Sequence, residues 1–171
     1  MQGHRYGLFK KIADASNKCE LELLIAHGGR LSNVEVAKLS KLAEVQAFVA
    51  QEDVLASSEI AIVHGGLNTV MDALARGVPL VLIPLAFEQS AIAARVARSG
   101  AGVVCPWAGR GVRPLASAIR NVLKNPCYRK AAISLGEEIE RAGGVYRAAD
   151  IVEAVLSTGQ PVLRHGDSTS L

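Results

Sequence analysis

The sequence predicts an α/β fold built on a doubly wound parallel sheet, and three observations carry that prediction. Short apolar runs alternate with segments of helical period, each about ten to fifteen residues long. The runs Ile60-Ala61-Ile62-Val63 and Leu80-Val81-Leu82-Ile83 are apolar at every position, as strands covered on both faces must be. Two runs end in His-Gly-Gly, at His27-Gly28-Gly29 and His64-Gly65-Gly66, where a strand hands over to a helix.

In chain order, residues 5–16 place Leu8, Phe9, Ile12 and Ala13 at helical spacing. Residues 21–26 read as a strand. A helix over 33–43 follows, opened by Ser32 or Asn33, with Val34, Val36, Leu39 and Leu42 on its apolar side. Residues 45–49 form a further strand and 51–57 a short helical turn. The strand at 60–63 leads through His64-Gly65-Gly66 into a helix that Asn68 is expected to cap, with Val70, Met71, Leu74 and Ala75 apolar. Gly77 ends that helix and Pro79 blocks its continuation. After the strand at 80–83 come an alanine-rich helix at 88–99, a strand at 102–105, and helices at 113–123, 126–141 and 144–156. Residues 1–157 are assigned to one domain. Residues 158–171, which hold Gly, Pro, Ser and Thr without periodicity, are assigned to a flexible tail. Folds of this class open on a strand that then lies centrally in the sheet. Here the first clear element is a helix, so the sheet is expected to lack its first strand.

Composition narrows the class. The 171 residues suffice for one sizeable core. Half are hydrophobic and a fifth charged, which excludes disordered and fibrous proteins. No apolar run is long enough to span a bilayer, and the first residues lack a secretory apolar core. Cys19, Cys105 and Cys127 are far apart and read as reduced thiols, so the expected location is cytoplasmic. The net charge of +3 is uneven, with ten basic residues and three acidic ones between Arg95 and Arg147. Solvated helix faces account for most such stretches; peripheral attraction to an anionic membrane or a phosphorylated ligand is the sharper alternative. Nucleic acid is not expected as a partner, because the basic residues are not interleaved with stacking aromatics.

The chemistry points to an anion. A glycine turn running straight into a helix aims backbone N–H groups and a positive helix end at the carboxyl edge of a parallel sheet. His64-Gly65-Gly66 has that form; His27-Gly28-Gly29 is followed by Arg30-Leu31-Ser32 before its helix and is the looser alternative. Asn68 and Asp72 lie four apart on one helical face, where a carboxylate can accept from two vicinal hydroxyls. An exposed polar helix side explains the pair equally well. Glu88-Gln89 opens the next helix at the same edge, where it could grip sugar hydroxyls. A carboxylate at a helix start is favourable in any protein, by ~0.3–1 kcal/mol. No GxGxxG, Walker loop or GxSxG elbow occurs, and the four histidines lack metal-ligand spacing, so no metal and no bound cofactor are expected. Trp107 reads as a packing residue.

These residues resemble the donor-binding signature of the UDP-glycosyltransferases, two-domain inverting enzymes of the GT-B fold. The resemblance runs through Gln51, His64-Gly65-Gly66-Leu67-Asn68-Thr69-Val70-Met71-Asp72, Gly77-Val78-Pro79, Pro84, Glu88-Gln89 and Gly100-Ala101-Gly102. Within the family the chain is most similar to bacterial zeaxanthin glucosyltransferases. The resemblance implies that Gln51 lies by the uracil. It implies that His64, Gly65, Gly66, Asn68 and Thr69 hold the diphosphate, that Asp72 takes the ribose hydroxyls, and that Glu88 and Gln89 take the transferred sugar. UDP-glucose or a related UDP-sugar is then a co-substrate, and the acceptor is a lipophilic hydroxyl such as that of a carotenoid. Phe48 stands where the family commonly has a tryptophan stacking on uracil, Asp72 where it often has Glu, and Glu88 where it often has Asp. The acceptor pocket and histidine base of the family belong to an N-terminal domain with no counterpart here. No catalytic residue is therefore assigned. The alternative expectation is a truncated non-catalytic fragment, or the UDP-sugar-binding half of a split enzyme.

Overall fold

A computed structural model of the chain describes residues 3–105 and 111–163. The expectations for Trp107, His165 and residues 164–171 of the tail fall outside them. The described residues form α1 (Gly3–Asn17), β1 (Leu24–Ala26), α2 (Asn33–Leu39), β2 (Glu44–Gln46), α3 (Gln51–Ala56), β3 (Ala61–Val63) and α4 (Leu67–Ala75). They continue as β4 (Leu80–Leu82), α5 (Gln89–Ser99), β5 (Gly102–Val104), α6 (Val112–Lys124), α7 (Pro126–Arg141) and α8 (Gly144–Thr158). The alternation is the expected one; four strands are shorter than their apolar runs, β2 begins one residue before the expected 45–49 and ends at Gln46, and α2 ends at Leu39, short of the expected 43. Helix α8 runs to Thr158 and closes at Gly159, whose φ of 64° is left-handed, so the helix extends past the boundary expected for the tail.

Every strand pair is parallel, as expected, but the strands form two sheets: β1 pairs with β2, and β3, β4 and β5 follow one another. Strand β4 is the best covered. Leu80 and Leu82 point into a cluster with Val70, Leu74, Ala93 and Ala132 from α4, α5 and α7. Val81 and Ile83 point the other way, toward Ile12 and Ala15 of α1 and Leu115, Ile119 and Val122 of α6. Alternate side chains thus serve two cores, which is why the sequence there is apolar without a break. Each fully buried Leu, Ile or Val contributes roughly 1.5–3 kcal/mol, so β4 is the spine of the domain.

A third cluster joins Ala13, Ile25, Leu31 and Leu39 and packs α1 and α2 around β1. Ser32 caps α2 in a reciprocal box: its Oγ accepts from Glu35 N–H, and its own N–H donates to the Glu35 carboxylate at 2.9 Å. The C-terminus of α4 is equally local. Gly77 takes φ 64°, its N–H bonds Leu74 C=O, and Val78 N–H bonds Ala73 C=O, a double closure that stops the helix as the sequence indicates. Helix α7 then crosses α4 at Gly136, where an added Cβ would stand 2.6 Å from the Leu74 carbonyl oxygen. Only glycine lets the two backbones approach so closely.

Candidate functional site

The site forms where β3 ends and α4 begins. Ala61 N–H bonds Pro79 C=O and Ile83 N–H bonds Val63 C=O, so β3 is tied to β4 up to the residue before His64. The chain then turns through Gly65, whose φ of 90° is costly for any other residue. Gly65 lies against the main chain of Gln89 at the start of α5, and a Cβ there would stand 3.1 Å from its carbonyl oxygen. The two loops at this edge of the sheet are therefore in contact. The imidazole of His64, itself exposed, folds over Gly66, where a Cβ would stand 2.7 Å from Nε2.

Gly66, not Asn68, is the N-cap of α4. Its backbone is extended (φ −64°, ψ 132°), its carbonyl accepts from Val70 N–H, and no side chain caps the helix. Asn68 lies one residue inside, on the exposed side of the first turn. Gly65, in its left-handed backbone, turns the chain so that it enters helical geometry two residues before a cap at Asn68 would allow. The first-turn N–H groups are left without a capping side chain, beside an imidazole, at the positive end of a nine-residue helix.

Next to this turn, three expected residues converge. Thr69 Oγ1 donates to Gln51 Oε1 at 3.3 Å, and Gln51 Nε2 donates to Asp72 Oδ2 at 2.7 Å. The i, i+3 spacing of Thr69 and Asp72 puts both on the side of α4 that meets α3. Asn68, expected to share a face with Asp72, makes no bond to it. Two residues that sequence reasoning missed hold the pair of helices together. Arg76 Nη1 donates to the Asp72 carbonyl at 3.1 Å, and Nη2 reaches Glu52 Oε2 at 2.6 Å. No spacing rule could have found this contact, because Arg76 and Glu52 are 24 residues apart.

Phe48 stands three residues before Gln51 and is 76% exposed, with its ring against Gly29 of the first His-Gly-Gly turn. That turn is closed on itself. His27 is buried, its Nδ1 accepts from Leu31 N–H at 3.2 Å, and its carbonyl accepts from Arg30 N–H. Its Nδ1 secures its own loop and its side chain is buried, whereas His64 is exposed. Glu88 is exposed as the N-cap of α5, without a capping bond of its own. The Gln89 carboxamide oxygen accepts from Leu85 N–H at 2.9 Å and Ala86 N–H at 3.1 Å. Gln89 thus shapes the loop before it, a role its position alone did not reveal. In that loop Phe87 adopts φ 54° and is 90% exposed, an unusual conformation for a bulky side chain and a third residue that no sequence signal marked. Among the described residues, no group of three His, Cys, Asp or Glu side chains is placed to hold a metal ion. No helix among them is long and apolar enough to cross a membrane.

The comparisons with known proteins agree on one family. The model of the erythromycin biosynthesis protein CIII-like C-terminal domain matches residues 11–167. The chain is 40% identical over 167 residues to the zeaxanthin glucosyltransferase of Pantoea ananas, covering 95% of this chain and 38% of that protein. It is 34% identical over 156 residues to the demethyllactenocin mycarosyltransferase of Streptomyces fradiae, covering 90% and 33%. Among solved structures, the calicheamicin glycosyltransferase CalG4 superposes with a TM-score of 0.81 at 30% identity, over 91% of this chain and 40% of that one. The chain thus spans two fifths or less of the length of these relatives. With the match running through both cores and the glycine turn, the chain belongs to the UDP-glycosyltransferase family, as a C-terminal domain of the erythromycin biosynthesis protein CIII-like type with the GT-B fold.

Proposed function

We propose that this chain is the donor-binding part of an inverting, metal-independent glycosyltransferase that uses a UDP-sugar, with glucose as the sugar and a lipophilic hydroxyl such as that of a carotenoid as the acceptor. The observation that supports it best is the uncapped start of α4 at Gly66, flanked by the exposed His64 and by the Gln51–Thr69–Asp72 group. The first suits a diphosphate and the second suits a ribose. The sugar and acceptor follow the similarity to the Pantoea ananas zeaxanthin glucosyltransferase.

In the transfer, the acceptor oxygen attacks the anomeric carbon and the bond from that carbon to the β-phosphate oxygen breaks. The electron pair leaves with the diphosphate, and the acceptor's proton goes to a base that we assign to no residue of this chain. Charge grows on the departing oxygen just where helix N–H groups and the His64 imidazole stand. Donors fixed in advance at that position cost no reorganisation during the reaction. Phe48 offers a face for uracil, Asp72 accepts from ribose hydroxyls, and Glu88 with the Gln89 loop borders the sugar. Attraction of the basic residues between Arg95 and Arg147 to anionic lipid would bring the site to a lipophilic acceptor.

Isothermal titration with UDP and UDP-glucose is the test. Saturable binding is expected, weakened about tenfold or more in His64→Ala, as for loss of a hydrogen bond to a charged group. No saturable heat at millimolar UDP overturns the proposal, and unchanged affinity in the variant removes His64 from the site.

A further inference from the structure

Helices α1 and α6 lie side by side, with Ile12 and Ala15 of α1 and Leu115, Ile119 and Val122 of α6 in one cluster. Two long-range bonds fix their seam near the end of α1. Arg120 Nη2 donates to the Lys18 carbonyl, and Cys19 Sγ donates to the Ala116 carbonyl at 3.5 Å. Away from the core the seam is basic. On α6, Arg113, Arg120 and Lys124 are all exposed, and their spacing of seven and then four residues puts them on one stripe. From α1, the half-buried Lys11 and, just past its end, the exposed Lys18 share the flank that meets this stripe. Helix α6 holds no acidic residue, and Asp14, the one acidic residue of α1, is paired with Lys10 at 2.8 Å. The next carboxylates along the chain, Glu20 and Glu22, come after the turn that follows α1.

This face is not the basic run that the sequence marks between Arg95 and Arg147. Within that run, Arg129 donates to the Glu59 carbonyl at 2.7 Å and Arg141 to the Glu137 carbonyl at 3.1 Å, so both are turned to the main chain. Arg95 and Arg98 lie on α5, whose Ala93 and Val96 pack in the cluster on the opposite side of the sheet. Lys11 and Lys18 join the face from outside the run. Two helices thus concentrate positive charge in a chain whose net charge is only +3. Acidic side chains gather elsewhere, with Glu52 and Asp53 on α3 and Glu137, Glu138 and Glu140 on α7.

We infer that the α1–α6 face is the surface by which this chain meets an anionic bilayer, with Lys11, Lys18, Arg113, Arg120 and Lys124 against the lipid headgroups. From Arg113 to Lys124 the stripe runs about 16 Å, too long for one phosphate and suited to a row of them. An anionic leaflet presents such a row, and its attraction grows with each basic residue near the surface. A protein partner would need apolar or aromatic anchors. Among the described residues, no large hydrophobic side chain of α1 or α6 is exposed. A nucleic-acid single strand would need exposed rings to stack on. Tyr6 and Phe9 of α1 pack instead against the cluster around Ile25 and Leu39. The choice of a bilayer deepens the lipid attraction proposed above and rests on that reading; the position and make-up of the face do not.

The test is sedimentation of the whole 171-residue chain with vesicles of phosphatidylcholine, with and without phosphatidylglycerol. Retention is expected on the anionic vesicles alone and should fall with added salt. The triple variant Lys18→Gln, Arg113→Gln, Lys124→Gln should bind them about tenfold or more weakly. A second triple variant, Arg95→Gln, Arg98→Gln, Arg147→Gln, loses the same charge elsewhere and should bind as the unaltered chain does. In the unaltered chain, anionic vesicles should slow acetylation of Lys18 and Lys124 but not of Lys38 and Lys41, a readout that needs no variant to fold. The inference is overturned if both kinds of vesicle retain the chain equally or neither does, or if the second variant is weakened as much as the first. It is also overturned if Lys18 and Lys124 stay unprotected, or if duplex DNA binds the chain more tightly than the anionic vesicles do. Absence of all retention ends the lipid attraction proposed above as well, whereas equal weakening of the two variants removes this face alone. Binding of UDP is not read in any arm, so the donor-site proposal stands in either case.

Discussion

The Gln51 carboxamide donates to the Asp72 carboxylate at 2.7 Å, joining two helices across 21 residues of sequence. One carboxylate oxygen is thereby held in place before any ligand arrives. A carboxylate that is already oriented loses less entropy when it accepts from a ribose. Asp72→Ala is expected to weaken UDP binding about tenfold or more, and Gln51→Ala by less, since it removes the orienting group and not the acceptor. Calorimetry with both variants checks the order; a larger loss in Gln51→Ala would reverse these roles.

Arg76 binds the same helix pair through Glu52, whose side chain is 74% exposed. An exposed ion pair contributes about 0–1 kcal/mol. Glu52→Gln should therefore shift the urea midpoint only slightly. Arg76→Ala should cost more, because it also takes the donor from the Asp72 carbonyl. Equal midpoints for the two variants would show that the carbonyl contact adds nothing.

Gly65 combines a left-handed backbone with a close backbone neighbour, the Gln89 carbonyl. Gly65→Ala is expected to destabilise the domain by roughly 1–3 kcal/mol and to weaken UDP binding as well. Gly66→Ala meets only the tip of the His64 side chain, so stability should hold while the imidazole is displaced. Thermal melts with and without UDP separate the two outcomes.

Glu35 supplies a pH dependence. Bonds from the Ser32 N–H, and then from the Ser32 hydroxyl, hold its carboxyl below the ordinary value of 4.5. A carboxyl lowered in the folded state stabilises above its unfolded value, and that stabilisation disappears as pH falls through the folded value. Stability should therefore decline from about pH 4.5 downward, and Glu35→Gln should remove part of the decline. Denaturant midpoints from neutral to acid pH would show this, and an unchanged slope in the variant would refute it. Ser32→Ala should cost about 1 kcal/mol through the lost cap.

Close helix packing gives a prediction far from the site. Gly136→Ala drives a Cβ toward the Leu74 carbonyl and should destabilise by about 1–3 kcal/mol, with urea unfolding as the readout.

How much of this was legible in one dimension depended on the range of the forces involved. Local rules marked the helix ends at Ser32 and Gly77, the unbroken apolar strand at Leu80–Leu82 and the glycine turn after His64, because each is settled within a few residues by sterics and nearest-neighbour hydrogen bonds. The resemblance to a family motif assigned Gln51, Thr69 and Asp72 to the uracil, the diphosphate and the ribose of one donor site; that the three bond one another is a finding of the folded chain. Tertiary structure decided the rest. It gave the cap of α4 to Gly66 over Asn68, turned His27 inward onto Leu31 N–H, and engaged Gln89 with its own loop. It also set Arg76 on Glu52 and divided the strands into two sheets. Each of these depends on which distant backbone group arrives within about 3 Å. That distance is fixed by packing across β4, and no period or spacing along the chain encodes it.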